Sequence, residues 1–268
     1  MQRLWLLVQI FVGAGNMGSA IVKGMISSGN FDSGDIIVCD KNQESLGKLS
    51  ETGVTTDTDN KTALKADVIV LAVKPNILEK VIGEIEDTEN KIFISIAAGK
   101  TVSSLEEMFG KSVKLIRVMP NTPAKVNSGM AVLCPNKNMT EEDTKIVEKI
   151  FNSVGESLVL DEKYINIATA LHGSSPAYVY MFIDAMADAG VKYGLPKATA
   201  IRLAAKAVEG SAKMVLETGE HPEKLKDDVC SPGGTTIAAV ASLEENQFRA
   251  TIQSAVSACV EKAEEMSK

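Results

Sequence analysis

Two short stretches of this chain have the residue types and spacing to do chemistry. Toward the C-terminus, Ser231-Pro232-Gly233-Gly234-Thr235-Thr236 sets hydroxyls and glycines ahead of an Ala-rich apolar run. Ser231 is a preferred helix N-cap, and Pro232 just inside a helix start costs nothing because that N–H would lack a partner anyway. Gly233 and Gly234 let a ligand approach the backbone closely. The free N–H groups of a helix start bind anions, and a carboxylate suits them. This is the wording of a small-anion pocket.

The second stretch runs Ile-Phe-Val-Gly-Ala-Gly-Asn-Met-Gly over 10–18. Gly13, Gly15 and Gly18 satisfy G-x-G-x-x-G between a short apolar run and a helical pattern. In such a loop the first glycine makes the tight turn and the second lets the backbone reach a pyrophosphate. The third lets helix and strand pack closely. Asp40 closes the next apolar run about 20 residues beyond Gly18, where an acid meets a ribose hydroxyl. Val12, Gly13, Ala14, Gly15, Asn16 and Met17 are therefore expected to hold a dinucleotide, with Asp40 at its adenosine end. Asp40 favours NADH, but Lys41 can offset it, so NADPH and NADH both stay open.

These residues need a scaffold. Strands are predicted over Leu6–Val12, Ile36–Cys39, Val68–Val73, Ile92–Ile96, Lys114–Met119 and Met130–Cys134. Helical segments fall between them, at 16–28, 42–51, 60–65, 76–86, 103–109 and 140–152. That alternation implies a Rossmann-like, doubly wound parallel sheet. Val68–Val73 is continuously apolar, as a strand covered on both faces must be. From Asp161 onward strand-like runs vanish and Ala, Lys, Glu and Met recur at helical periods, over 164–193, 197–218, 235–243 and 245–267. The expected division is a dinucleotide-binding domain over 1–160 and an all-α substrate-binding and dimerisation domain over 161–268.

Composition narrows the chemistry. A chain of 268 residues can carry two modest domains. A net charge of −7 and a pI near 5.1 argue against nucleic acid as the main partner. An anionic substrate must then be drawn by local dipoles. Four cysteines without C-x-x-C spacing and only two histidines give no zinc set, so no metal is expected. Free thiols in the cytoplasm is the simple reading. Cys230 abuts the anion turn, but small cysteines are commonly packing residues. No run is long enough to span a membrane. Leu4–Val8 reads as an extension of the first strand, with residues 1–6 peripheral.

Taken together, GAGNMGSAI (13–21), LAVKP (71–75), SIAAGK (95–100), RVMPNTPA (117–124), GSSPAYVY (173–180), DAMADAGVKYGLP (184–196) and SPGGTT (231–236) resemble the pyrroline-5-carboxylate reductases. The resemblance runs from about Ile10 to the C-terminus. It implies hydride transfer from NADPH or NADH to the C=N bond of 1-pyrroline-5-carboxylate, giving L-proline. It also implies a homodimer with interleaved C-terminal helices, sometimes assembled further. By the resemblance Ser231, Gly234, Thr235 and Thr236 hold the substrate carboxylate, and the Thr236 hydroxyl is the catalytic group facing the ring nitrogen. The substrate is expected in the cleft between the cofactor crevice and the helical half. Glu162 matches a position near bound product, or simply complements a helix dipole. Asn60 matches a position near the adenosine, or is an N-cap. Ala72, Val73, Lys74 and Pro75 close one strand at the cofactor crevice. Ala97, Ala98 and Gly99 follow the next, their small size leaving room for the nicotinamide. Asn121 and Pro123 shape the same crevice or make a turn. His172, where relatives often carry Ser, reads as structural.

Two other functions fit parts of the pattern. A 3-hydroxyacid dehydrogenase of the 6-phosphogluconate type shares the domain style, but needs a Lys with an Asn four residues on, which helix 164–193 lacks. A non-catalytic NAD(P)-sensing module needs no SPGGTT turn.

Overall fold

The computed structural model describes residues 8–85, 87–110 and 112–267. The proposed peripheral segment 1–6 and the start of the predicted first strand lie outside them. The chain divides into two compact units: one runs to Gly173 and resumes at Val260, the other is Ser174–Cys259. The boundary expected at 160/161 lies inside the first unit, because Ile165 and Ala168 pack with Val132 and Cys134.

The first unit is built on eight described strands, β1 (Gln9–Val12), β2 (Ile36–Cys39), β3 (Thr55–Asp57), β4 (Val68–Leu71), β5 (Ile92–Ser95), β6 (Lys114–Met119), β7 (Gly129–Pro135) and β8 (Gly155–Val159). They lie in the order β3-β2-β1-β4-β5-β6-β7-β8. The first six run parallel; β7 is antiparallel to β6, and β8 parallel to β7. The sheet is thus mostly rather than wholly parallel. In β1 the register pairs Phe11 with Val38 on one side and Val70 on the other.

Because successive strand residues point to opposite faces, β1 feeds both layers of core. Phe11 joins Ile21, Met25, Val38, Val70, Ile94 and Phe151. Ile10 and Val12 join Ile69, Leu71, Leu78, Phe93 and Leu105. Phe93 and Phe109 pack with ring centroids 4.6 Å apart. This double coverage is why these strands read as unbroken apolar runs.

The crossover helices are α1 (Asn16–Ser27), α2 (Gln43–Ser50), α3 (Leu78–Gly83), α4 (Val102–Phe109) and α5 (Glu141–Asn152). Ile21, Val22 and Met25 bury one stripe of α1. A capping box between Thr140 and Asp143 starts α5. Lys114 on β6 donates to Asp143 Oδ1 at 2.9 Å, tying that helix start to the sheet. Segment 60–65 is a 3-10 helix, and its cap is Asp59, not Asn60.

The predicted helix 164–193 is interrupted. A 3-10 turn (Glu162–Tyr164) leads into α6 (Ile165–Ala168), then a π-helical segment (Thr169–Gly173), then α7 (Ser175–Lys192). The second unit comprises α7, α8 (Lys197–Thr218), α9 (Pro222–Val229), α10 (Thr235–Glu245) and most of α11 (Phe248–Met266). Within it α7 and α8 pack closely: a Cβ on Gly190 would stand 3.0 Å from Ala200 Cβ. Its buried hydrophobics are Ala187, Ala200 and Ala204, while Met181, Leu203 and Leu216 are exposed in the single chain.

Candidate active site

The glycine loop assembles where β1 meets α1. Gly13 has φ +117° and its N–H donates to the Cys39 carbonyl at 2.8 Å. A Cβ there would fall 2.5 Å from the Ala72 carbonyl oxygen. A Cβ on Gly18 would fall 2.4 Å from the Gly13 oxygen, so helix and strand touch at this point. Gly15 is different. It is the N-cap of α1 in extended conformation, and no described heavy atom lies within 4 Å of its would-be Cβ. The first and third glycines are required by the protein itself, and the second leaves space for something else. No described side chain caps α1, so its first-turn N–H groups at Asn16 and Met17 are open to an anion.

The other expected cofactor residues gather along one edge, because each follows the C-terminal end of a parallel strand. Val12 ends β1, and its carbonyl accepts from Ala72 N–H at 2.8 Å. Ala72 and Val73 lie past the end of β4; Lys74, exposed, precedes a 3-10 turn that begins at Pro75. Ala97 is buried, Ala98 exposed, and Gly99 takes φ +75° where a Cβ would meet the Met266 carbonyl at 3.0 Å. Asp40 follows β2 and reaches back to the loop: Ala14 N–H donates to Oδ2 at 2.6 Å. Asn60 is buried, and its amide donates to Glu84 Oε2 at 2.8 Å.

Farther along, Arg117 is buried in β6 and its Nη1 meets Glu162 Oε1 at 2.7 Å. The same oxygen accepts Val102 N–H at 2.8 Å, at the start of α4. Glu162 is therefore more than a first-turn acid. An arginine flanked by Leu115, Ile116, Val118 and Met119 in one strand was the sequence signal for this pair, since a buried charge needs a partner. Asn121 bridges two segments, donating to the His172 carbonyl at 3.0 Å and accepting Met130 N–H at 2.9 Å. Both ring nitrogens of His172 face carbonyls, Ala168 at 2.5 Å and Met119 at 2.9 Å. That histidine is occupied in holding the π-helical segment. Burial pushes the Cys39 thiol up to about 12 and that of Cys134 to about 11, so neither is a nucleophile at neutral pH.

In the second unit the SPGGTT stretch forms a turn. Gly234 N–H donates to the Ser231 carbonyl at 3.0 Å around Pro232 and Gly233, the latter at φ +70°. Proline followed by a positive-φ glycine is the type II pattern. The helix cap is consequently Gly234, not Ser231, and Pro232 lies in the turn rather than in α10. The sequence placed the helix start too early because Ser-Pro is good N-cap wording wherever it stands. The correction sharpens the site: no described side chain caps α10, so the N–H groups of Thr235 and Thr236 are open. Ser231 and Thr235 are exposed and Thr236 half-buried.

Known proteins share both halves. A family model described as pyrroline-5-carboxylate reductase dimerisation matches residues 162–266, and one described as NADP oxidoreductase coenzyme F420-dependent matches residues 8–99. The pyrroline-5-carboxylate reductase of Escherichia coli strain K12 is 50% identical over 262 residues, covering 96% of this chain and 97% of that protein. The solved pyrroline-5-carboxylate reductase of Coxiella burnetii gives a TM-score of 0.93 at 36% identity, covering 98% of this chain and 99% of that one. The Plasmodium falciparum pyrroline carboxylate reductase, solved with NADP bound, gives 0.89 at 37% identity with the same coverage.

Proposed function

This chain belongs to the pyrroline-5-carboxylate reductase family, and from that premise we propose that it reduces the C=N bond of 1-pyrroline-5-carboxylate to give L-proline. When bound, the reduced nicotinamide dinucleotide would supply the hydride that the imine carbon receives, C2 of the substrate and C5 of the proline formed. Family membership leaves the hydroxyacid dehydrogenase and sensor alternatives without support.

The observation that carries the assignment of residues is the open start of α10. No described side chain caps the N–H groups of Thr235 and Thr236, and the turn closed by Gly234 N–H on the Ser231 carbonyl at 3.0 Å leads straight into that helix start. Open N–H groups at a helix start, with a serine hydroxyl available from the preceding turn, suit a carboxylate. With the carboxylate held there, the Thr236 hydroxyl hydrogen-bonds the ring nitrogen and fixes which face of the C=N bond is presented. A threonine hydroxyl is a poor acid, so the nitrogen's proton arrives with the protonated imine or from water. Positioning then supplies most of the acceleration. Such a mechanism needs no His–Asp or Cys–His pair.

The glycine loop fits a dinucleotide, because Gly13 and Gly18 have no room for a Cβ while Gly15 opens outward. Val12, Gly13, Ala14, Gly15, Asn16 and Met17 would hold the pyrophosphate. Asp40 would take the ribose, and Ala72, Val73, Lys74, Pro75, Ala97, Ala98 and Gly99 the remaining edge. Asn60 supports that edge from inside the fold. Glu162 has Oε1 committed to Arg117 and Val102, and Oε2 is the atom left for a ligand. The protein works as a homo-oligomer, in our reading a dimer with interleaved C-terminal helices, and in the cytoplasm, where its four cysteines stay free.

Substitution at Thr236 tests the assignment. Thr236→Ala is expected to lower kcat by about 10- to 100-fold, the scale of one lost hydrogen bond to a charged group, with dinucleotide affinity unchanged and Thr236→Ser largely restoring the rate. An unchanged rate in Thr236→Ala would remove the hydroxyl from the chemistry.

A further inference from the structure

The corner where β2 ends carries a choice of cofactor. Asp40 is gripped at both carboxylate oxygens: Ala14 N–H donates to Oδ2 at 2.6 Å and Asn42 N–H to Oδ1 at 2.8 Å. Its own N–H is held by the Asp57 carbonyl at 3.2 Å. The carboxylate is thus fixed against the glycine loop, with acceptor capacity left on each oxygen. A fixed acceptor calls for donors. The vicinal hydroxyls of an adenosine ribose supply them; a 2′-phosphate supplies none and brings further negative charge.

Two lysines that follow Asp40 in the chain are turned to partners of their own, though each keeps its charge. Lys41 Nζ donates to the Thr58 carbonyl at 2.6 Å, and Lys48 pairs with Glu44 at 2.7 Å. The backbone donor nearest the corner, Ala14 N–H, is taken by the carboxylate itself. Two further acids stand close by. Asp57 is Cys39's partner on β3, and Asp59 caps the 3-10 helix that follows. Beyond burial, the charges of both raise the Cys39 thiol, more than Lys41 lowers it.

We propose that Asp40 makes this enzyme select NADH over NADPH, accepting hydrogen bonds from the adenosine ribose hydroxyls and excluding a 2′-phosphate. The selection rests on the dinucleotide site proposed above. It sets the chain apart from the Plasmodium falciparum relative, which was solved with NADP bound.

The test is equilibrium titration of the full-length protein with NADH and with NADPH, read by nucleotide fluorescence, alongside kcat/KM for imine reduction with each. NADH is expected to bind about tenfold or more tighter, the scale of hydrogen bonds to a charged acceptor. Asp40→Ser is expected to shrink that ratio by a similar factor, losing NADH affinity and gaining NADPH affinity. Equal or tighter binding of NADPH by the unmodified protein overturns the proposal, as does an unchanged ratio in a folded Asp40→Ser. If that variant does not fold, Asp40→Asn, which keeps one carbonyl acceptor but no charge, must lower the ratio or the proposal fails. Binding of neither nucleotide would overturn the cofactor site with it. Binding without imine turnover would overturn the reductase assignment alone, with the affinity ratio still deciding on Asp40.

Discussion

Three glycines in one loop do separate jobs. Gly13 and Gly18 are demanded by contacts inside the protein, whereas Gly15 faces open space. Adding one methyl group should therefore have opposite consequences at two positions three residues apart. Gly18→Ala drives a Cβ to within 2.4 Å of the Gly13 oxygen and is expected to cost about 1–3 kcal/mol of stability, as overpacking does. Gly15→Ala leaves an ordinary extended residue with no clash; its unfolding midpoint should stay put while dinucleotide affinity falls, because the methyl group enters the space reserved for the pyrophosphate. Thermal unfolding and nucleotide titration of the two variants separate the effects. Loss of stability in Gly15→Ala, or normal stability in Gly18→Ala, would contradict the assignment. Glu162 makes a related point. The resemblance left it open between a position near bound product and a first-turn acid, and its best-defined task in the structure is to neutralise the buried Arg117 and hold the start of α4.

Elements position these residues through a few polar ties. The capping box of α5 is one, because Asp143 also receives Lys114 from β6. Burial raises the Asp143 carboxyl, but hydrogen bonds from Lys114 and Thr140 outweigh it and leave the group below its ordinary value of 3.8. A carboxyl depressed in the folded state adds stability that is present above its unfolded value and lost as pH falls through the folded value. Asp143→Asn is thus expected to cost about 1 kcal/mol at pH 7, and the deficit should shrink as the pH is taken below about 4. Urea unfolding at both pH values checks this; a pH-independent deficit would contradict it. The apolar strands β1, β2, β4, β5 and β6 were legible in the sequence because each is covered on both faces. β3 and β8 were not: Thr55-Thr56-Asp57 is short and polar, and Gly155–Val159 is largely exposed. Pro222–Val229 also escaped, since its helix is short, rich in charged residues and buries none of its side chains. Both chemical stretches were legible as residue types. The site's finer wiring was not, because Arg117 with Glu162, Asn121 with His172, and Asp40 with Ala14 meet only through tertiary contacts.

At the scale of the molecule, the first unit has a two-layered core and the second has almost none. Met181 is 74% and Leu216 73% exposed in the single chain, while the second unit buries only alanines among its hydrophobic residues. A helical unit of that kind needs a partner to cover it, in keeping with the dimerisation family that spans it. Met181→Asp is expected to shift the protein toward monomer in sedimentation and to make its thermal midpoint fall on dilution; an unaltered oligomer would place Met181 off the interface. None of the described helices is long and apolar enough to cross a membrane. The central claim is that this chain is an imine reductase of the pyrroline-5-carboxylate type. The most direct measurement is near-ultraviolet absorbance of purified protein given reduced nicotinamide dinucleotide, with and without 1-pyrroline-5-carboxylate. Oxidation that depends on the imine, with proline as product, is the expected result. Folded protein that binds the dinucleotide but oxidises none of it when the imine is added would contradict the account.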